Sequence, residues 1–380
     1  MTVLLVDTSC ELGGAQRSLL ELATALQVRT LSVQAAVPAG ALTEALHLVG
    51  VPVQLIPTVR LHRSLHPRVL PEIARFFAAR TALARAIRAV RPEIIHANGL
   101  IPALLAVNVR AQCPVLWHVR DLNMPNAAVR YLARRVDRIV AISDAVVQRL
   151  AETVPTRLRH KIQLVCNGID TAHFEPGDRA AARRRFQLPA DAPLVGMVAH
   201  LVPWKRHDSF LELAAAIHQT RADVRFVMAG RDLFHDHPQW CAQLERQVAT
   251  AGLSEAIVWM RDLNDVAPLL PALDVLVHPA AAEPFGRVLC EAMAAGIPVV
   301  AADNAGPGSI VPDGVAGYLV APGDASAFAQ QTLRLLDRLE ASRLMGTAAR
   351  QHVLANFDMA RTVAEIHALY NELLGSGARK

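Results

Sequence analysis

The feature that most limits what this chain of 380 residues can fold into is a strand–helix rhythm that runs twice. In the first half, short apolar runs at residues 3–6, 32–37, 53–56, 94–96, 115–117 and 139–142 end in polar or small residues. They alternate with longer stretches of helical period, such as residues 16–27 and 68–90. The rhythm restarts after a segment rich in Pro, Gly and Arg, residues 174–193, with apolar runs at 194–198, 224–229, 257–260, 275–277, 298–301 and 317–320. Short, continuously apolar strands joined by helices make parallel sheets covered on both faces. The expected architecture is therefore α/β, with two doubly wound, Rossmann-like domains in tandem. The expected boundaries are 1–176, 177–358 and a terminal helix in 359–380 that packs back on the N-terminal domain. Composition agrees: 52% hydrophobic but 4% aromatic residues leave Ala, Leu and Val to build the core, which suits helices on parallel strands better than a sandwich.

Several classes are set aside by composition. The five cysteines (Cys10, Cys113, Cys166, Cys241 and Cys290) are scattered and form no C-x-x-C pair, so reduced thiols in a cytoplasmic protein are expected. The first residues meet Asp7 before an apolar leader can form. No run of about 18 apolar residues is present, so no membrane span is expected. Residues 1–178 hold 20 Lys and Arg against 13 Asp and Glu, while the rest hold 19 against 21. A basic N-terminal half suits a phosphorylated acceptor or an anionic membrane surface. Nucleic acid is not expected as a partner, because aromatics are few and no nucleic-acid motif appears. An ordinary solvated, arginine-rich surface explains the same charge.

Open α/β sheets bind ligands beyond the carboxyl ends of their strands, and the suggestive segments lie there. After the first strand, Gly13-Gly14 lets backbone approach a ligand where a helix begins. It is not a G-x-G-x-x-G fingerprint, which counts against a dinucleotide enzyme. In the second half three segments converge: residues 199–206 with Lys205, residues 283–293 with Glu283 and Glu291, and the Gly-rich residues 304–309. A Lys at a strand end can neutralise a diphosphate. Two carboxylates, one in a loop and one about two helical turns on, can accept hydrogen bonds from two parts of a polyol, with the Phe285–Gly286 amides facing its phosphates.

The segment EPFGRVLCEAMAAGIPVVA, with Glu283 and Glu291 separated by seven residues, resembles the hallmark of family 4 glycosyltransferases of the GT-B fold. The resemblance runs nearly the whole length, through Gly13-Gly14, residues 94–98, Trp117-His118, Ile142-Ser143, residues 167–170, the Lys205 segment, residues 258–266 and residues 313–324. It implies two Rossmann-like domains with a cleft between them. It implies that Lys205 binds the diphosphate and stabilises the leaving group, and that Glu283 accepts hydrogen bonds from the donor sugar. Phe285 and Gly286 would give backbone amides, Glu291 would hold the ribose, and Leu263 would present backbone groups to the base. His200, Arg206 and Arg287 complete the implied donor set, while His118 and the Gly13-Gly14 loop would close on the donor from the opposite domain. Departures are His200 where Arg is common, Arg206 and Asp262 where Gly is usual, and Ser309 in place of a Glu.

The implied reaction is transfer of a hexose or N-acetylhexosamine from a nucleoside diphosphate sugar, UDP-glucose or UDP-N-acetylglucosamine foremost, to an acceptor hydroxyl. Retention of configuration follows from the same resemblance, with the leaving phosphate assisting deprotonation of the acceptor. No cofactor and no metal are expected, since no D-x-D motif is present; Lys205, amides and helix N-termini would carry the leaving-group charge. The acceptor, a small molecule, a glycan or a lipid-linked glycan, would be read by the N-terminal domain around residues 60–66, His96, Asn98, Arg120 and Asn126. The helix at 68–90, with Phe76 and Phe77, is read first as a surface helix with one buried face, and second as a peripheral contact with the inner membrane face. Residues 232–237 read as a solvated loop and not as a metal site. A nucleotide-sugar epimerase or hydrolase, or a non-catalytic nucleotide-sugar-binding protein, are the alternatives.

Overall fold

A computed structural model of the chain describes residues 1–60, 69–109, 111–261 and 263–377. It has two compact units, one formed by Met1–Gly168 with Met359–Lys380 and the other by Ile169–Asp358. The division falls at Gly168 and Ile169 rather than at 176/177.

Among the described residues, unit 1 is built on seven strands: β1 (Thr2–Val6), β2 (Ser32–Val37), β3 (Val53–Leu55), β4 (Ile94–Asn98), β5 (Val115–Val119), β6 (Arg138–Ala141) and β7 (Ile162–Leu164). All pair in parallel, in the order β3-β2-β1-β4-β5-β6-β7. The direction of winding reverses between β1 and β4, which opens a crevice at the carboxyl ends of those two strands. Register sets what lines it. Val6 pairs with Ala97 and Asn98 with His118, so Asp7, Asn98 and His118 come level with one another.

Burial explains the strands. Every residue of β4 and β5 is buried, as parallel strands covered on both faces must be. The helix Gly14–Val28 lays Leu19, Leu22, Ala23 and Leu26, one helical face, on Val3, Leu5, Val33 and Ala35. The same core is closed by the last helix, Met359–Gly377, through Met359, Val363, Ile366, Tyr370 and Leu373. Each fully buried Leu or Ile contributes about 1.5–3 kcal/mol. In the helix Val69–Val90, Ala79, Ala82, Leu83 and Ala86 are buried while Ile73 and Phe77 are exposed.

Unit 2 repeats the plan with β8 (Leu194–Val198), β9 (Arg225–Ala229), β10 (Ile257–Met260), β11 (Val275–His278), β12 (Val299–Ala302) and β13 (Gly317–Val320). Their order is β10-β9-β8-β11-β12-β13, again all parallel, with the reversal between β8 and β11. The segment expected as a linker contains the helix Arg179–Arg185. It is anchored by Arg183, whose buried guanidinium donates to the carbonyls of Ala272, Pro189, Ala190 and Ala192 and to Asp274 Oδ2 at 3.0 Å. Asp274 Oδ2 also accepts from the Leu194 amide at 2.7 Å, which pins the start of β8.

This network generates a stability prediction. Arg183→Met leaves several carbonyls without their donor and Asp274 with only the half-exposed Arg179 as its cation, at 2.8 Å, and breaking a buried pair from one side costs about 3–5 kcal/mol. Urea unfolding should show a loss of that size. A loss below about 1 kcal/mol would mean the guanidinium behaves as a surface cation.

Candidate functional site

In unit 1 a polar cluster sits at the β1/β4 reversal. Asp7, directly after β1, is buried, and its carboxylate accepts from Asn98 Nδ2 at 2.6 Å, the Ser9 amide at 2.8 Å and Gln16 Nε2 at 3.1 Å. Burial pushes the Asp7 carboxyl upward, against these hydrogen bonds. Arg120, just past β5, donates through Nε to Asn98 Oδ1 at 2.7 Å and through Nη1 to Ser18 Oγ at 3.1 Å and to Asn167 Oδ1. His96 joins His118 (Nε2 to Nδ1, 2.9 Å) and Tyr370 (Nδ1 to the phenol oxygen, 2.6 Å). Burial, followed by the Arg120 charge, pulls His96 down to about 3 and His118 well below the usual imidazole range, so both are neutral near pH 7. His118 Nε2 is buried with no hydrogen-bond partner. Such a group costs about 1–3 kcal/mol when unsatisfied, and within this cluster of side chains it is His118 Nε2 that is in that state.

In unit 2 the equivalent position, beyond β8 and β11, carries charge. Lys205 ends the short 3₁₀ turn Pro203–Lys205 and pairs with Glu283 Oε2, with its ammonium 4.3 Å from the Trp204 ring centroid. His278, the last residue of β11, also reaches Glu283 Oε2, at 3.1 Å. Burial opposes ionisation of Glu283, but the Lys205 charge and the His278 hydrogen bond outweigh it and hold the carboxyl well below its usual range. Two glycines shape the loop. Gly286, with φ of +105°, starts the helix Arg287–Ala294 in a left-handed conformation. Gly306 donates its amide to the Glu283 carbonyl at 2.9 Å, and a Cβ there would lie 2.3 Å from the Phe285 carbonyl oxygen. Glu291, about one turn into that helix, is paired with Arg287 at 3.2 Å.

The expected residues divide as follows. His96, Asn98, His118 and Arg120 meet in one cluster in unit 1. Gly13 precedes, and Gly14 begins, the helix whose Gln16 and Ser18 reach that cluster. Asn126 lies apart, its Oδ1 accepting from Arg149 Nη2 at 2.6 Å, where it fastens the loop at 122–126. In unit 2, Lys205 and Glu283 meet, and Phe285, Gly286, Arg287 and Glu291 follow on the same loop and helix. His200 follows β8 and Leu263 follows the edge strand β10, at the same end of the sheet. Arg206 takes a left-handed φ of +59°, and its Nε pairs with Asp208 at 3.0 Å. Ser309 is exposed in the helix Ala305–Ile310. Asp262 and most of the 60–66 segment lie outside the described residues. Asp232 accepts from the amides of Asp236 and His237, closing its own turn. Among the described residues no group of three or more His, Cys, Asp or Glu is placed to hold a metal ion.

Asp7, Ser18, Tyr370 and His278 were not expected in either site. Asp7 and His278 had a readable signal, a polar residue closing an apolar strand run. Ser18 and Tyr370 look in sequence like ordinary positions of amphipathic helices.

The depressed histidines generate a pH prediction. Unfolded histidine titrates near about 6.5, whereas His96 and His207 are held at about 3, each chiefly by burial. Between those values the unfolded chain binds more protons, so this stability is full above about pH 6.5 and is lost as pH falls. Glu283, depressed as well, adds a loss that begins only below its unfolded value of about 4.3. The urea midpoint should drop between about pH 7 and about pH 5, and less steeply in His207→Gln. A flat wild-type profile would contradict the neutral, buried imidazoles.

Residues 12–173 match the model of Glycosyltransferase Family 4 and residues 178–352 the model of Glycosyl transferases group 1, so the two together account for most of the chain. A D-inositol 3-phosphate glycosyltransferase from Geodermatophilus obscurus is 33% identical over 62% of this chain and 54% of its own length. The chain thus spans about half the length of the curated relatives of that kind. N-acetyl-α-D-glucosaminyl L-malate synthase from Bacillus anthracis is 25% identical over 74% of this chain and 75% of its own length. Among solved structures, Anabaena Alr3699/HepE in complex with UDP and glucose superposes with a TM-score of 0.84 at 23% identity, covering 98% of this chain and 99% of that one. Sucrose-phosphate synthase from Thermosynechococcus elongatus gives 0.83 at 20% identity, covering 99% and 100%. The two doubly wound units are those of the GT-B fold, no described helix is long and apolar enough to cross a membrane, and the chain belongs to the family 4 glycosyltransferases.

Proposed function

We propose that the chain transfers a glycosyl group from a nucleoside diphosphate sugar to a hydroxyl of a small, anionic acceptor. One observation carries the reading: a pair of half-buried Lys205 and buried Glu283 sits beyond the carboxyl ends of β8 and β11, with Glu291 on the helix that follows. In this reading Lys205 binds the diphosphate and stabilises charge on the departing phosphate. Diphosphate oxygens compete with Glu283 for the ammonium, which frees the carboxylate to accept sugar hydroxyls. Phe285 and Gly286 offer amides at the helix start, and Glu291 takes the ribose. His200, Arg287 and Leu263 border the donor. Arg206, turned to Asp208, orders the turn that carries Lys205.

UDP-glucose and UDP-N-acetylglucosamine are the donors the reading favours, supported by the UDP-bound relative of the same fold and by the glucosaminyl malate synthase. The names of two relatives mention inositol 3-phosphate and malate, both hydroxylated anions. The basic character of residues 1–178 and the Arg120 cluster suit that chemistry. His96, Asn98, His118 and Arg120 are assigned to the acceptor side, with the configuration of the sugar retained. The reading needs no divalent metal and puts the protein in the cytoplasm.

Two variants test it. Lys205→Ala removes a fixed electrostatic stabiliser, and turnover of UDP-glucose or UDP-N-acetylglucosamine with inositol phosphate or malate should fall about 10²–10³-fold. Glu283→Gln, which keeps the shape of the loop, should also lose transfer while retaining its fold. Wild-type turnover should persist in excess EDTA. Near-normal turnover in either variant would overturn the site. Equal donor consumption with and without acceptor would assign the protein to the hydrolases or epimerases instead.

A further inference from the structure

The last helix does more than close the core of unit 1. It delivers Tyr370, fully buried, to His96, and His96 in turn contacts His118. The rings stand 6.0 Å apart and near perpendicular for Tyr370 and His96, and 5.1 Å apart and tilted for His96 and His118. Such a chain can run in two directions. Either Tyr370 O–H donates to His96 Nδ1 and His96 Nε2–H donates to His118 Nδ1, or every bond is reversed. The two directions place the proton of neutral His118 on opposite nitrogens.

Two observations choose between them. Arg120 Nη2 lies 3.3 Å from His118 Nδ1, and a guanidinium can only donate, so this long contact favours a lone pair on Nδ1 without fixing it alone. The reversed chain would also leave the phenol proton of Tyr370 in the core without an acceptor, since among the described residues its hydrogen bond is with His96. Both demands are met when the bonds run from Tyr370 to His96 to His118. The proton of His118 then sits on Nε2, the nitrogen that is buried and without a partner.

We propose that Tyr370 is a positioning residue that acts through His96 to hold His118 as an Nε2–H hydrogen-bond donor. The assignment rests on the glycosyltransferase reading above for its consequence, but not for its geometry. His118 Nε2 then has no lone pair with which to take a proton, so His118 does not act as a base through that atom. It donates to an oxygen of the substrate: a hydroxyl, a phosphate or a carboxylate oxygen. The deprotonation of the acceptor falls to another group, and a helix remote in sequence from the motifs becomes part of the reaction machinery.

The test separates geometry from function. In the wild-type protein, two-dimensional 15N–1H spectra of histidine side chains should show His118 with a protonated Nε2 and a bare Nδ1. Tyr370→Phe keeps the ring but removes the proton donor, so His96 and His118 should shift to a mixture of tautomers. In the same variant kcat should fall about tenfold while the donor KM and UDP affinity stay unchanged, as expected for a group felt in the transition state. In a His118→Ala background, Tyr370→Phe should cause no further loss. A wild-type His118 protonated at Nδ1 would overturn the proposal, as would a Tyr370→Phe variant with wild-type tautomers or with the same loss when His118 is absent. Should the wild-type protein transfer no sugar from any donor, the reaction reading fails, yet the spectra still decide the hydrogen-bond direction.

Discussion

Glu283 is a carboxylate removed from water and kept ionised, and much of unit 2 is arranged so that this is tolerable. An isolated charge cannot be buried without partners, and here Lys205 and His278 supply them from the ends of β8 and β11. The backbone is committed to the same point. The Glu283 carbonyl accepts from Gly306 and the Trp204 carbonyl accepts from Ala281, so the loops after β8, β11 and β12 are tied to one another. Asn304 adds bonds from its side-chain amide to the carbonyls of Ala280 and Ala281 at 3.0 and 2.8 Å. A site held this way is positioned before any ligand arrives, which is what stabilisation of a developing charge requires.

The two units solve a common problem with different chemistry. Both have the strand order that reverses beside their first strand, and both gather polar side chains where it reverses. Unit 2 places an ion pair there. Unit 1 places neutral imidazoles, an arginine and an aspartate in a network that is satisfied except at His118 Nε2. Under the proposed function, the asymmetry would suit a donor that brings a diphosphate to a fixed cation and an acceptor that is recognised by directional hydrogen bonds. It also explains why buried histidines recur: a neutral ring in a dry site can orient a ligand without adding charge.

The fold was legible because its signal is repeated and local. Strands such as Ser32–Val37, Leu194–Val198, Ile257–Met260 and Gly317–Val320 have the ends their apolar runs suggest. β4 and β5 run on beyond them, through Asn98 and Val119, because a polar residue reads as a strand end even when the fold buries it. β7 was not legible, being a three-residue edge strand with Gln163 exposed between two apolar residues. Of the site, the Glu283–Glu291 spacing and Lys205 were readable from local pattern. His278, the partner of Glu283, and Asp7, the partner of Asn98, depend on strand register, and Tyr370 comes from a helix some 250 residues beyond His118. No local pattern carries that contact. Asn126 shows the converse, a polar loop residue in the right stretch of sequence whose side chain serves Arg149.

The claim that most needs a direct measurement is that Lys205 answers to the second phosphate of the donor nucleotide. Titration calorimetry of UDP and UMP against the wild-type protein and Lys205→Ala isolates that phosphate, because the two ligands differ by it alone. The account predicts that the wild-type protein binds UDP about tenfold or more tightly than UMP, a difference of about 1.4 kcal/mol or more. Lys205→Ala should lose that preference while binding UMP as before. An unchanged preference in Lys205→Ala would place the diphosphate elsewhere and contradict the account.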